Sequence, residues 1–369
     1  MKKIIVAPDS FKGVLTAKEV TDIIASEFGV AFPDCEIVKM PIADGGEGSV
    51  DAVLSSIGGV RHEVKVLSPD DREINAYYGI ADNGAAIIEM AQSSGITRQN
   101  GLHPMTSTTY GFGQLILDAF EKGTREFMLC IGGSATTDGG CGMAAALGAR
   151  FFIDGGNSFI PCGETLCDIT DVDAGSIDKR VAVSRFTVMC DVDNPLFGEN
   201  GAAYVYGPQK GASPEQVMQL DEGLRHYGSV LKKTFGKNFS QAPGAGAAGG
   251  LGAGCVAFLE AELKSGIEAI LGLCDFKRHI TDADLVITGE GKLDSQSFQG
   301  KVLSGILREA GNVPVWSICG VCECDEDFLS KKGITVFEAS EGITKEESLR
   351  EPEKYLRIAV KKAISKKAR

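Results

Sequence analysis

Residues 126–149 read EFMLCIGGSATTDGGCGMAAALGA, and their reading decides the fold class. FMLCI (127–131) is a strand-like apolar run, GGSATTDGG (132–140) lacks bulk, and GMAAALGA (142–149) has the composition of a helix. Glycine allows tight turns and close backbone approach at a cost in chain entropy, so glycine pairs at both ends of the loop point to something lying against it. The same unit recurs outward. KIIVA (3–7) is followed by PDSFKG (8–13), and a T-x-x-E box at Thr16–Glu19 opens the helical VTDIIASEF. CEIVKM (35–40), PIADGGEG (41–48) and SVDAVLSSI (49–57) repeat strand, loop and helix, and 106–123 is a further helix. Such alternation predicts parallel strands with crossover helices, their loops gathered on the sheet edge where open α/β sheets bind ligands.

Two stretches break the rhythm. Residues 64–90 read as antiparallel strands with a hairpin turn at Asn83–Gly84. The middle, about 150–275, mixes short strands and glycines with a helix capped by Ser213 and begun by Pro214. The rhythm resumes with ADLVITG (283–289), the helical 300–311 and VPVWSICG (313–320). A chain of 369 residues exceeds one ordinary core. The expectation is therefore an α/β protein of two domains. One is a discontinuous Rossmann-like parallel-sheet domain from 1–63, 94–134 and 278–369; the other is an inserted mixed α/β domain from 64–93 and 135–277.

Composition excludes several classes. Net charge is -13, and the largest basic cluster is the terminal KKAISKKAR, so nucleic acid is not an expected partner. No stretch approaches the roughly 18 apolar residues of a membrane span, and the start has no signal-like apolar region; a cytoplasmic protein without a membrane partner is expected. Eleven cysteines, an odd number, suit reduced thiols. Cys319, Cys322 and Cys324 form a C-x-x-C-x-C cluster that fits either a metal or redox site or buried thiols, but no second pair or nearby histidine completes a zinc set. His62, His103, His226 and His279 share no motif.

Five polar, glycine-bearing segments carry the chemistry: 7–13, 42–48, 132–140, 190–198 and 287–296. Lysines and amides for phosphate oxygens, carboxylates for magnesium, and a carboxylate for a substrate proton are the parts of phosphoryl transfer. No G-x-x-x-x-G-K-[ST] loop exists. GAGAAG (244–249) matches G-x-G-x-x-G but follows no apolar strand, so it fits either an anion-binding turn or close packing of glycines.

Together these segments resemble the type-1 bacterial glycerate kinases. The resemblance runs through APDSFKG, PIADGGEG, GGSATTDGGCGM, CDVDNPLFG, GPQKGAS, PGAGAAGGLG and ADLVITGEGKLDSQSFQGK, nearly the whole chain. It implies ATP-dependent phosphorylation of D-glycerate, with Mg2+, by two α/β domains with a cleft between them. It also implies 2-phosphoglycerate as the product. Lys292 stands where the family pattern commonly has arginine, so a point charge replaces a bidentate fork. A kinase of another small hydroxy acid, and a non-catalytic protein binding an organic acid or nucleotide, are the alternatives; carboxylates beside anion-binding loops favour catalysis with a metal. A homodimer is left open.

On this reading Asp191 is the base, with Asp294 as the alternative, and Lys12 neutralises a phosphate or the substrate carboxylate. Ser10, Gly45, Gly46, Glu47, Gly133, Ser134, Thr136, Asp193, Asn194, Gly289 and Lys292 are expected to bind substrate or nucleotide, and Asp44 and Glu290 the metal. Each has a plainer alternative. Asp44, Asp193 and Asn194 suit turns, Glu47 a helix start, and Asp138 or Thr137 an N-cap.

Overall fold

A computed structural model of the chain describes residues 1–11, 13–42, 48–298 and 302–367. Its strands, in chain order, are β1 (Lys3–Val6), β2 (Glu36–Lys39), β3 (Gly59–Leu67), β4 (Glu73–Ala81), β5 (Ala85–Glu89), β6 (Glu126–Cys130), β7 (Arg150–Phe152), β8 (Ser158–Phe159), β9 (Asp171–Asp173), β10 (Arg185–Met189), β11 (Glu262–Lys264), β12 (Leu285–Leu293), β13 (Val315–Cys322) and β14 (Ile334–Glu338). The chain divides into two compact units, one of Met1–Asp44, Asp51–Gly58 and Gly266–Arg369, the other of Gly45–Val50 and Gly59–Ser265.

In the first unit five parallel strands run in the order β14-β13-β12-β1-β2. This is a doubly wound order, with its switch point between β1 and β12. All four residues of β1 are buried, as a parallel strand covered on both faces requires. Ile4, Val6, Leu285, Ile287, Trp316 and Ile318 pack with Phe28 and Leu356 in one core cluster. Burying each such large side chain contributes about 1.5–3 kcal/mol. The helix Ala17–Ala31 starts where the sequence predicts it: Thr16 Oγ1 accepts from Glu19 N, and Glu19 Oε2 accepts from Thr16 N at 2.8 Å.

In the second unit six strands run β11-β10-β6-β5-β4-β3. The first four are mutually parallel, while β5-β4-β3 are antiparallel, with Asn83–Gly84 turning the hairpin between β4 and β5. Phe127 and Phe186 stack with centroids 4.7 Å apart, and Phe120 meets Phe127 edge-on at 4.9 Å. A small antiparallel sheet, β8-β7-β9, lies in the same unit.

The boundaries differ from those expected. Segment 94–134 was expected with the parallel domain, but it supplies the helix Tyr110–Glu121 and β6, which pairs with β5 and β10 in the mixed sheet. Residues 59–63 belong to β3 of that sheet, and 266–277 belong to the first unit. An apolar parallel strand after a helix reads alike in either sheet, because its partners lie far away in sequence.

Candidate active site

At the switch point of the first unit, the carboxyl ends of β1 and β12 lie side by side. The Asp9 amide donates to Gly289 O at 2.8 Å, continuing the strand pairing beyond Val6. Asp9 Oδ1 accepts from the Ser10 amide at 2.6 Å and from its hydroxyl at 3.3 Å. Residues 290–293, expected beyond the strand ADLVITG, extend β12 instead, with Gly289, Glu290 and Lys292 opposite Ile318, Cys319 and Val321 of β13. Glu290 and Lys292 are two apart on this strand and share a face.

Beyond β12, Ser297 ties the acidic residues together. Its hydroxyl donates to Glu290 Oε2 at 2.8 Å and accepts from the Asp294 amide at 3.1 Å. Lys292 pairs with Glu323 Oε2 at 2.9 Å and Asp294 Oδ2 at 3.4 Å. The Glu323 contact raises its ammonium above the usual lysine range, and the Gln296 amide, then Lys292, hold the Asp294 carboxyl below the carboxylate range. Asp294 is thus a carboxylate already engaged by the Gln296 amide and Lys292. Glu290 offers hard oxygens suited to Mg2+, which takes one or two carboxylates and fills its shell with phosphate and water.

The nearby Cys319, Cys322 and Cys324 are free thiols. Among the described residues no three His, Cys, Asp or Glu side chains are grouped as a metal cage. The hydrogen bond from Cys319 draws the Cys322 thiol down to about 6, and the same bond pushes Cys319 up.

In the second unit the parallel edge carries Glu89, Gly132–Ser134 and Cys190–Asn194 at the ends of β5, β6 and β10. Buried Glu89 accepts from the Val50 amide at 2.8 Å, at the N-terminus of the helix Ser49–Ile57. A protein carboxylate therefore already serves that helix N-terminus.

The glycine loop divides into two halves. Gly132 and Gly133 are exposed and Ser134 is half-buried, whereas 135–140 are buried. Asp138 is fully buried; its carboxylate accepts from the Thr109 amide (2.8 Å) and hydroxyl (2.7 Å) and from the amides of Gly140 (3.1 Å) and Gly142 (3.2 Å). Four donors mark it as an ionised, acceptor-only carboxylate, although burial pushes its pKa up. It secures the start of the short helix Cys141–Ala146, so that helix end is occupied from within rather than offered to an anion. What lies against the buried half is the second glycine segment: Gly139 N donates to Gly249 O at 3.1 Å, and a Cβ on Gly249 would stand 2.0 Å from Thr136 O. GAGAAG is therefore a packing element. Thr136 is fully buried, and its hydroxyl, like that of Thr137, has no hydrogen-bond partner among the described residues.

Lys210, from GPQKGAS, is 2% exposed and donates to Ser134 Oγ at 2.8 Å and Thr136 O at 2.6 Å. Burial pulls its ammonium down to about 7, against the upward pull of Asp138.

Asp191 and Asp193 are exposed just beyond β10. Asn194 is engaged within the protein: Nδ2 donates to Asn200 O at 2.8 Å, and Oδ1 accepts from the Tyr206 hydroxyl at 2.6 Å. Its carbonyl also accepts from Gly246 N at 2.9 Å. The turn-shaping alternative fits Asn194, whose side chain commits one Nδ2 proton and one Oδ1 lone pair within the protein and, among the described residues, keeps one of each uncommitted.

Lys12, Asp44, Gly45, Gly46 and Glu47 lie outside the described residues. Two residues with suggestive geometry, Glu89 and Lys210, were not singled out by sequence reasoning. A glutamate closing the otherwise apolar AAIIE was a signal for the first; nothing local marks the lysine as buried.

Residues 4–366 match the model of the glycerate kinase family. The chain is 44% identical over 337 residues to the glycerate 2-kinase of Escherichia coli K12, covering 90% of this chain and 88% of that one. It is 43% identical over 325 residues to a glycerate kinase of Halalkalibacterium halodurans, covering 87% and 86%. A crystal structure described as a glycerate kinase 2 of Salmonella typhimurium LT2 superposes with a TM-score of 0.89 at 37% identity, covering 99% of this chain and 98% of that one.

Proposed function

Because the chain belongs to the glycerate kinase family, and is therefore a kinase, we propose that it transfers the γ-phosphoryl group of ATP to the C2 hydroxyl of D-glycerate in the cytoplasm. The observation that carries this reading is the switch point of the parallel sheet, where Asp9, Ser10, Gly289, Glu290, Lys292 and Asp294 gather at adjacent strand ends. A crevice at that position is where doubly wound sheets take nucleotides and other anionic ligands. The name of the Escherichia coli relative supports C2 as the acceptor.

In the reaction the glycerate oxygen forms a bond to the γ-phosphorus as the bond to the β-phosphate bridging oxygen breaks, releasing ADP. The hydroxyl proton passes to Asp191, the exposed carboxylate beyond β10, with Asp193 orienting the acceptor. Lys292 and Lys12 neutralise phosphate or carboxylate oxygens. The amides of Gly45 and Gly46, together with Gly133 and Ser134, offer donors to them. Magnesium, when bound by Glu290 and Asp44, supplies charge neutralisation on the phosphates.

A coupled assay with ATP, Mg2+ and D-glycerate should show ADP release that depends on glycerate, and phosphorus NMR should show 2-phosphoglycerate. A sole 3-phosphoglycerate signal overturns the regiochemistry. Turnover of another hydroxy acid with none of glycerate overturns the substrate.

A further inference from the structure

Lys210 is a cation buried behind the exposed turn Gly132–Ser134. A lysine almost never goes inside a protein without a partner. Here the partners are the Ser134 hydroxyl of the turn, at 2.8 Å, and the Thr136 carbonyl of the buried half of the loop, at 2.6 Å. Because Ser134 Oγ accepts from Lys210, its own proton must be donated elsewhere, and it has no acceptor among the described residues. Ser134 is half-buried beside exposed Gly132 and Gly133, so that proton is available to something arriving from solvent. When protonated, Lys210 adds a positive charge close behind the turn in a chain of net charge -13, and Asp138, the nearby carboxylate, has its own four donors.

We propose that Lys210 is a positioning residue which, acting through Ser134, commits the serine hydroxyl to donate to an anionic oxygen of a substrate at the Gly132–Ser134 turn. The oxygen belongs to a carboxylate or a phosphate. This inference rests on the kinase reading above for the identity of its substrates, and on hydrogen bonds within one unit for its mechanism. A structural lysine would hold the loop without changing affinity for an anion. A positioning lysine changes KM, and does so only while the serine hydroxyl is present.

The test compares the parent with S134A, K210M and the double variant. KM and kcat are measured for D-glycerate and for ATP, and equilibrium binding of D-glycerate alone and of ADP alone distinguishes the carboxylate from the phosphate. Losing a hydrogen bond to a charged group costs about tenfold to a hundredfold in affinity. S134A should therefore raise KM for one of the two substrates by that order, with kcat changing less. K210M should do the same, and the double variant should be no worse than K210M. An unchanged KM in S134A, or fully additive effects, overturns the proposal, and S134A decides it even if K210M does not fold. Amide hydrogen exchange supplies a control independent of activity: K210M should keep the parent pattern outside 132–137, which separates a raised KM from loss of the folded unit. If the parent turns over no glycerate, the substrate reading fails while equilibrium binding still reports on Lys210.

Discussion

Asp191 stands at the end of a strand whose preceding residues, Val188 and Met189, are buried, so the polypeptide delivers it to the sheet edge with little freedom in its backbone. General bases contribute about 100- to 10,000-fold, and D191N should lower kcat by that order while ADP affinity changes little. A folded D191N enzyme with kcat within a few-fold of the parent would remove Asp191 from the mechanism. Lys210 makes a separate prediction about stability. Its folded pKa, about 7, lies below the ordinary lysine value of 10.5, so between these values the unfolded chain binds more protons. The buried charge costs stability fully below pH 7, and the cost is relieved as pH climbs. From pH 7 to 8.5 the unfolding free energy of the parent should rise relative to K210M, by at most about 1.4 kcal/mol per pH unit. Parallel curves for the two proteins over that window would contradict the shift.

At the scale of elements, the two glycine segments form one packing device. Gly249 has φ +70 and would place a Cβ 2.0 Å from Thr136 O, whereas Gly236, at the end of the helix Pro214–Phe235, has the same φ and nothing within 4 Å. Both positions resist a side chain through backbone conformation, but only the first also meets a wall. G249A should therefore destabilise the protein by about 1–3 kcal/mol more than G236A. Equal losses in chemical denaturation would mean that conformation alone explains the glycine.

For the whole molecule, each unit carries its own sheet and core, so unfolding need not be two-state. Ligands that bind only the folded chain still stabilise it by mass action, by about 2.7 kcal/mol at a free concentration of 100 times Kd. D-glycerate, and ADP with Mg2+, should each raise the melting temperature in a concentration-dependent way. Chemically similar anions such as acetate should not, and a shift of the same size with acetate would indicate charge screening instead of a site.

What the sequence determined by itself was local. The capping boxes at Thr16 and Ser213, the Asn83–Gly84 hairpin and the alternation of apolar runs with helices are written in neighbouring residues. The ordered motifs identified the family on the same basis. Tertiary structure decided which sheet received β6, because parallel partners such as β5 and β10 come from distant parts of the chain and leave no periodic signal. It also decided what the glycines of 132–140 serve. A small residue reads the same whether a ligand or another backbone approaches it, and here the buried half meets Gly249 while Gly132 and Gly133 stay exposed to solvent. Lys210 was the least legible, since a lysine between glycines looks solvated until the fold closes around it and leaves Ser134 and Thr136 as its partners.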